Sequence, residues 1–273
     1  MDKHIDWLSF TLDRKENISS TSQLYDEAAE LLRRVSNDHK HYIFNGVGFD
    51  NCARRAPYSF SLARDDNGIR LFGGGPQSGV LYEISGRGCE GLRTHPAAST
   101  FLVPILERIT RLDFACDVRT STRPTHFCNA RSHKGFRSLS FIQSDTGETV
   151  YVGSPKSDRF CRVYRYNPPH PRSELLRIEF VFRRGLARDA AKSLCVSESY
   201  EIFAATLGNT YGWMHEDWRP GAITEARLRT PIVERNADTT VAWLYKQCAP
   251  ALAAKIKEEA IDLPSFLEYV LSL

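Results

Sequence analysis

No stretch of the 273-residue chain reaches the roughly 18 uninterrupted apolar residues of a membrane-spanning helix. The opening MDKHIDWLSFTLD places acids among its first residues and contains no long apolar run, which argues against a signal peptide. The chain also lacks a CxxC pair and any close Cys/His grouping. Its seven cysteines, at 52, 89, 116, 128, 161, 195 and 248, are odd in number and scattered, so neither a structural zinc site nor a disulfide framework is expected. They read as reduced thiols of a soluble, cytoplasmic protein. An excess of one charge is missing too: 36 Lys/Arg against 33 Asp/Glu leave a net +3, which by itself does not mark a polyanion binder. FGGGP at 72–76 lacks the GxxxxGK[ST] setting of a nucleotide loop, so no ATPase is expected. HKH at 39–41 has a lysine where a His-hydrophobe-His metal motif needs an apolar residue, and reads as surface charge or a DNA contact. No low-complexity linker divides the chain.

What is present suits a large folded core: 42% of residues are apolar and 11% aromatic. Strand-like IDWLSFTL (5–12) is followed by SQLYDEAAELLRRV (22–35), whose Leu24, Ala28, Leu31, Leu32 and Val35 recur at helical spacing behind a Ser/Thr cap. Strands at about 57–63 and 68–72 flank the hairpin signal DDNG, VLYEISG (80–86) adds another, and 95–109 reads as a helix bent at Pro104. A second round follows: RLDFACDV (111–118), a short helix, then SLSFIQ, ETVYVG, RFCRVYRY and ELLRIEFVFRR as successive strands. From about 187 the pattern becomes helical. The expectation is an α+β fold of two related half-domains, built on antiparallel sheet with helices packed against them: 1–110, 111–190, and a helical C-terminal region 191–273.

Strand alternation sorts side chains onto faces. Leu112, Phe114, Cys116 and Val118 share one side of their strand, which leaves Arg111, Asp113, Ala115 and Asp117 on the other; Arg177 and Glu179 oppose Leu176, Ile178, Phe180 and Phe182. In RFCRVYRY, Arg162, Tyr164 and Tyr166 oppose Cys161 and Val163. If these strands are neighbours, three carboxylates and two tyrosines project from one face. Such a cluster suits Mg²⁺ or Mn²⁺, which take oxygen ligands; equally, Arg111 and Arg177 can neutralise it as salt bridges. A tyrosine beside a cation is a possible nucleophile toward a phosphodiester, and alternation does not choose between Tyr164 and Tyr166. Residues 156–188 add nine Lys/Arg against three acids, a local charge suited to phosphate or to an ordinary solvated face.

The ordered set RLDFACDV (111–118), TVYVGSPKSDRFCRVYRY (149–166) and RIEFV (177–181) resembles the three strand motifs of the rolling-circle replication initiator family typified by staphylococcal plasmid Rep proteins, which also embraces filamentous-phage initiators and conjugative relaxases. IDWLSFT and EISGRGCEGL (83–92) resemble its phage and relaxase branch. The resemblance spans about 5–185. It implies a nicking and joining enzyme that starts rolling-circle replication, or a relaxase with the same chemistry, or a binding-only origin regulator. It implies Tyr164 as nucleophile, with Arg162 beside it either contacting the scissile phosphate or pairing with an acid, and Asp113, Asp117 and Glu179 as ligands of Mg²⁺ or Mn²⁺. Lys156, Arg159, Arg165, Tyr166 and Arg172 are the implied DNA contacts, Tyr166 standing where the family has a lysine. The implied partners are single-stranded or hairpin origin DNA, a host helicase and polymerase, and a second copy of the chain, with no membrane.

Overall fold

The computed structural model describes residues 2–13, 18–46, 48–53, 55–75, 79–127, 139–144, 147–166 and 175–211, together with isolated positions beyond 260. The chain divides into two units, Met1–Arg229 and Thr230–Leu273. The first carries a mixed α/β architecture on one ten-stranded antiparallel sheet. Its strands are β1 (Asp2–Asp13), β2 (Phe49–Asn51), β3 (Phe60–Arg64), β4 (Ile69–Gly73), β5 (Gly79–Ser85), β6 (Ile109–Arg119), β7 (Leu139–Ser144), β8 (Gly147–Val152), β9 (Arg159–Tyr166) and β10 (Leu175–Arg183). They lie in the order β2-β3-β4-β5-β1-β6-β10-β9-β8-β7.

That order contains the expected duplication. Each half is a long strand, then a connection that carries helix (residues 21–44 in the first half, the single turn 124–127 among the described residues of the second), then a four-stranded meander whose last strand returns to pair with the first: β5 with β1, and β10 with β6. The halves meet where β1 pairs antiparallel with β6, so they share one sheet. The boundary expected near 190 falls inside a helix that runs from Arg184 to Val196.

One face of the sheet is covered by α1 (Thr21–Val35), α2 (Asn37–Phe44), α3 (His95–Leu102), α5 (Arg184–Val196) and α6 (Tyr200–Tyr211); α4 (Pro124–Phe127) is a single turn near β8 and β9. Ser20 caps α1 by accepting the Gln23 N–H at 3.1 Å, and Leu24, Ala28, Leu31 and Leu32 are buried. The cover is fastened where rings cross the interface. Phe10 stacks on Tyr82 at 4.7 Å, Tyr82 Oη donates to the Ala28 carbonyl at 2.8 Å, and Phe114 meets Phe203 edge-on at 4.9 Å. Pro104 ends a helix rather than bending one: having no N–H to continue the ladder, the chain leaves α3 as a 3₁₀ segment, Val103–Arg108. The DDNG hairpin turn packs against another 3₁₀ segment, Gly86–Leu92, so closely that a Cβ on Gly68 would lie 2.4 Å from the Gly88 nitrogen.

The HKH triplet differs from its reading as surface charge. It lies on α2, and the spacing of the helix turns His39 inward while Lys40 and His41 stay exposed. The His39 ring packs 4.0 Å from Phe101, and burial pulls its pKa down to about 4 against the opposing charge of Asp38. The folded state therefore keeps His39 neutral, whereas the unfolded chain protonates it below about 6.5. Stability contributed by this group is complete above the unfolded value and is lost as pH falls toward 4. Melting temperatures between pH 7 and pH 4.5 are expected to fall more steeply for the wild type than for His39→Leu; parallel curves would refute this.

Candidate active site

The face of the sheet opposite the described helices holds the residues that the alternation grouped together, and the register shows how. Across the sheet, Tyr164 on β9 stands opposite Arg177 on β10, Arg177 opposite Asp117 on β6, and Asp117 opposite Asp2 on β1. In the next row are Arg162, Glu179, Ala115 and His4, and in the row after that Phe160, Val181, Asp113 and Trp7. Paired residues project from the same side. The site thus stands on four adjacent strands inside the sheet, β1, β6, β10 and β9, each paired on both sides.

The salt-bridge reading of the carboxylates is realised at all three. Arg111 grips Asp113 with two N–H groups, one at 2.9 Å, and Arg177 grips Asp117 at 2.7 and 2.8 Å while reaching Asp6 at 2.9 Å. Arg162 forks onto Glu179, its Nε at 2.7 Å from Oε2. Asp113 and Glu179 are fully buried, diagonal neighbours, each the partner of its own arginine. Burial pushes the Asp113 carboxyl well above the ordinary range, Arg111 draws it back, and the like charge of Glu179 raises it again.

The Tyr164 hydroxyl donates to Glu179 Oε2 at 3.0 Å. Burial and the Glu179 charge hold its pKa above that of free tyrosine, against the pull of Arg162 and Arg177. The phenol is therefore aimed at a proton acceptor while its anion is disfavoured by the same group.

The three expected metal ligands divide between two places. Asp113 and Glu179 meet beside Tyr164. Asp117 lies four residues from Asp113 along β6, about 13 Å at strand rise, and joins Asp2 and His4 instead. Among the described residues, these three form the cluster spaced for a metal, with one donor atom from each within 4.8 Å of the others. His4 is buried, and its Nδ1 lies 3.5 Å from Asp2 and has no hydrogen-bond partner among the described residues. An orphaned imidazole nitrogen facing two carboxylates is compatible with a divalent cation. Both carboxylates already face arginines, Asp117 through Arg177 and Asp2 through Arg93 at 2.6 Å.

Asp2, His4 and Asp6 were not anticipated at the site: the expected strand, 5–12, left out Asp2 and His4, and the register of β1 is irregular. Alternation counted from Leu8, Phe10 and Leu12 puts Asp2, His4 and Asp6 on the helix side, but the pairing of β1 with β6 slips between Ile5 and Trp7. The bulge turns Ile5 toward the helices and delivers Asp2 and His4 to the open face.

The basic run 156–188 is largely consumed within the fold. Besides Arg162 and Arg177, Arg183 donates to the Pro155 carbonyl at 2.7 Å, and Arg184 pairs with Asp158 at 3.0 Å. Arg165, expected on DNA, is of the same parity as Cys161 and Val163, and donates to the carbonyls of Thr120 and Thr122, the latter at 2.8 Å. Lys156 is exposed on the turn before β9, and Arg159 opens that strand opposite Phe182. The Tyr166 backbone pairs with Leu175; its side chain and Arg172 lie outside the described residues.

A groove of about 560 Å³ lies on the same face over the other half of the sheet, lined by Trp7, Arg55, Arg70, Phe72, Glu83 and Arg111 among others. Arg111 stacks over Trp7 at 4.2 Å, so one guanidinium borders both the groove and Asp113. Among the described residues no helix is long and apolar enough to cross a membrane.

No protein-family model matches the chain, and no curated protein sequence matches it. Among solved structures it is similar to the rolling-circle replication initiator protein from Geobacillus stearothermophilus, with 18% identity, 77% of this chain and 85% of that chain covered, and a TM-score of 0.53. At that identity the likeness is one of fold.

Proposed function

We propose that this chain nicks and rejoins DNA through Tyr164 and so initiates rolling-circle replication, with a divalent ion held by Asp113 and Glu179. The observation that carries the reading is the Tyr164 hydroxyl, 3.0 Å from a buried carboxylate that abuts a second one. The fold likeness and the Asp2–His4–Asp117 cluster support a nuclease-like role in general terms.

In this reading Glu179 Oε2 accepts the phenolic proton as Tyr164 Oη attacks phosphorus. The bond from phosphorus to the 3′ oxygen breaks, the leaving oxygen departs as a 3′-hydroxyl after protonation, and the 5′ end remains as a phosphotyrosine ester. Rejoining reverses the sequence. Arg162, held flat by its fork onto Glu179, orients the acceptor and faces the phosphate. A divalent ion, when bound, supplies Lewis-acid stabilisation of the phosphoryl oxygens and offsets the negative charge that opposes the phenolate. Asp117 is placed to balance Arg177, on the far side of that arginine from Tyr164.

The test is incubation of the full chain with single-stranded fragments of its own replicon and Mn²⁺, followed by denaturing electrophoresis for a covalent adduct. Because burial holds the Asp113 carboxyl high and ion and proton compete for it, adduct yield at limiting Mn²⁺ is expected to rise with pH across neutrality, and more Mn²⁺ should move the midpoint downward. A midpoint independent of Mn²⁺ contradicts the assignment of the ion to this pair. If the reacting ion sits at Asp2–His4–Asp117, His4→Gln rather than Glu179→Gln will raise the Mn²⁺ requirement. No adduct on any replicon fragment favours a binding-only origin regulator.

A further inference from the structure

The groove over the first half of the sheet occupies the position that the duplication makes equivalent to the reactive site. Glu83 on β5 stands directly opposite Arg70 on β4, as Glu179 on β10 stands opposite Arg162 on β9. With those pairs superposed, the ladders match Phe72 with Tyr164, Ser9 with Ala115, Trp7 with Asp113, Thr11 with Asp117 and Leu81 with Arg177. The glutamate and arginine remain, while the hydroxyl, the second carboxylate and the Arg177–Asp117 pair are gone. At the matched positions this half therefore has neither the tyrosine nor the second carboxylate. In their place stand two aromatic rings.

Its walls have the chemistry of a nucleic-acid groove. Arg55 is half exposed and pairs with Glu83, and its guanidinium lies 5.6 Å from the Phe72 ring centroid. Arg70 has no hydrogen bond or ion pair among the described residues. Three arginines against one glutamate leave the lining positive, and half-buried Trp7 and the guanidinium planes offer stacking surfaces for unpaired bases. The volume lies within the range of ligand sites. Arg111 lines the groove and also holds Asp113, so the groove borders the half of the face that carries Tyr164.

We propose that this groove is a non-catalytic counterpart of the reactive site that binds unpaired nucleotides of single-stranded DNA, through phosphate contacts from Arg55 and Arg70 and stacking at Trp7. That the bound nucleotides belong to the nicked strand rests on the function proposed above; the binding itself does not.

The experiment uses the full chain carrying Tyr164→Phe, so that no adduct forms, and a fluorescein-labelled oligothymidylate followed by anisotropy over a salt series. Arg55→Gln with Arg70→Gln is expected to weaken binding about tenfold and to reduce the salt slope by about 1.4, the effect of two lost phosphate contacts on a single strand. Affinity within twofold of the parent and an unchanged slope would overturn the proposal. A second measurement needs no groove substitution: photocrosslinking of a 5-iodouracil oligonucleotide to the unsubstituted protein should label Trp7 or the peptide 52–72, and labelling confined to other segments overturns it. The two proposals fail separately. Groove-dependent binding without any adduct on replicon DNA removes the nicking function and leaves the groove, whereas adduct formation with groove-independent binding does the reverse.

Discussion

Tyr164→Phe is expected to abolish the covalent protein–DNA adduct, a loss on the order of 10³-fold or more, because no other group stands in for a missing nucleophile. The substitution removes one oxygen and leaves the ring in place. Glu179 keeps both hydrogen bonds from Arg162, so the change in stability should stay within about 1 kcal/mol. Loss of the adduct with an unchanged unfolding midpoint is thus the expected pair of results. Tyr166→Phe should retain the adduct. An adduct that survives Tyr164→Phe and disappears in Tyr166→Phe would transfer the role to Tyr166; Tyr164 would then be a structural donor to Glu179.

Arg177→Leu should produce the largest loss of stability among the residues of this face. Arg177 is buried and is the hydrogen-bonded counter-charge of both Asp117 and Asp6, themselves largely buried. Removing it takes the hydrogen-bonded guanidinium from two carboxylates in a low-dielectric setting, which costs about 3–5 kcal/mol. With the urea dependence usual for a domain of this size, that lowers the unfolding midpoint by about 1–2 M. Arg177→Leu combined with Asp117→Leu should recover most of the loss, since the pair is then removed together rather than broken. If the single substitution leaves the midpoint unchanged, the arginine is not neutralising these carboxylates, and Asp117 is freer to ligate an ion than its position beside Arg177 suggests.

The parts of the fold that depend on short-range periodicity were legible in the chain. Alternation in RLDFACDV, RFCRVYRY and LLRIEFVF assigned Asp113, Asp117, Glu179, Arg162 and Tyr164 to one face, and β6, β9 and β10 are adjacent with those residues in register. The repeated order of strand, helix and several strands likewise appears as two matching meanders. In β1 the expected strand, 5–12, stopped short of Asp2 and His4, and nothing local in KHIDWL announces the one-residue bulge at Asp6 that reverses parity there. Alternation was also silent about His39, whose inward turn depends on where Phe101 lies in space.

Residue types and their local alternation were enough to state which side chains share a surface, since the direction of each side chain follows from the pleat of its own strand. They left open whether the carboxylates form a metal site or salt bridges, and which tyrosine lies beside them. Those depend on distances between strands far apart in sequence, which only register sets: four residues along β6 send Asp113 to Glu179 and Asp117 to Arg177, and one pairing on β9 sets Tyr164 within 3.0 Å of Glu179. The same long-range pairing turned a basic run into internal ion pairs, and placed the positive groove over the other half of the sheet, where no run of basic residues marks it.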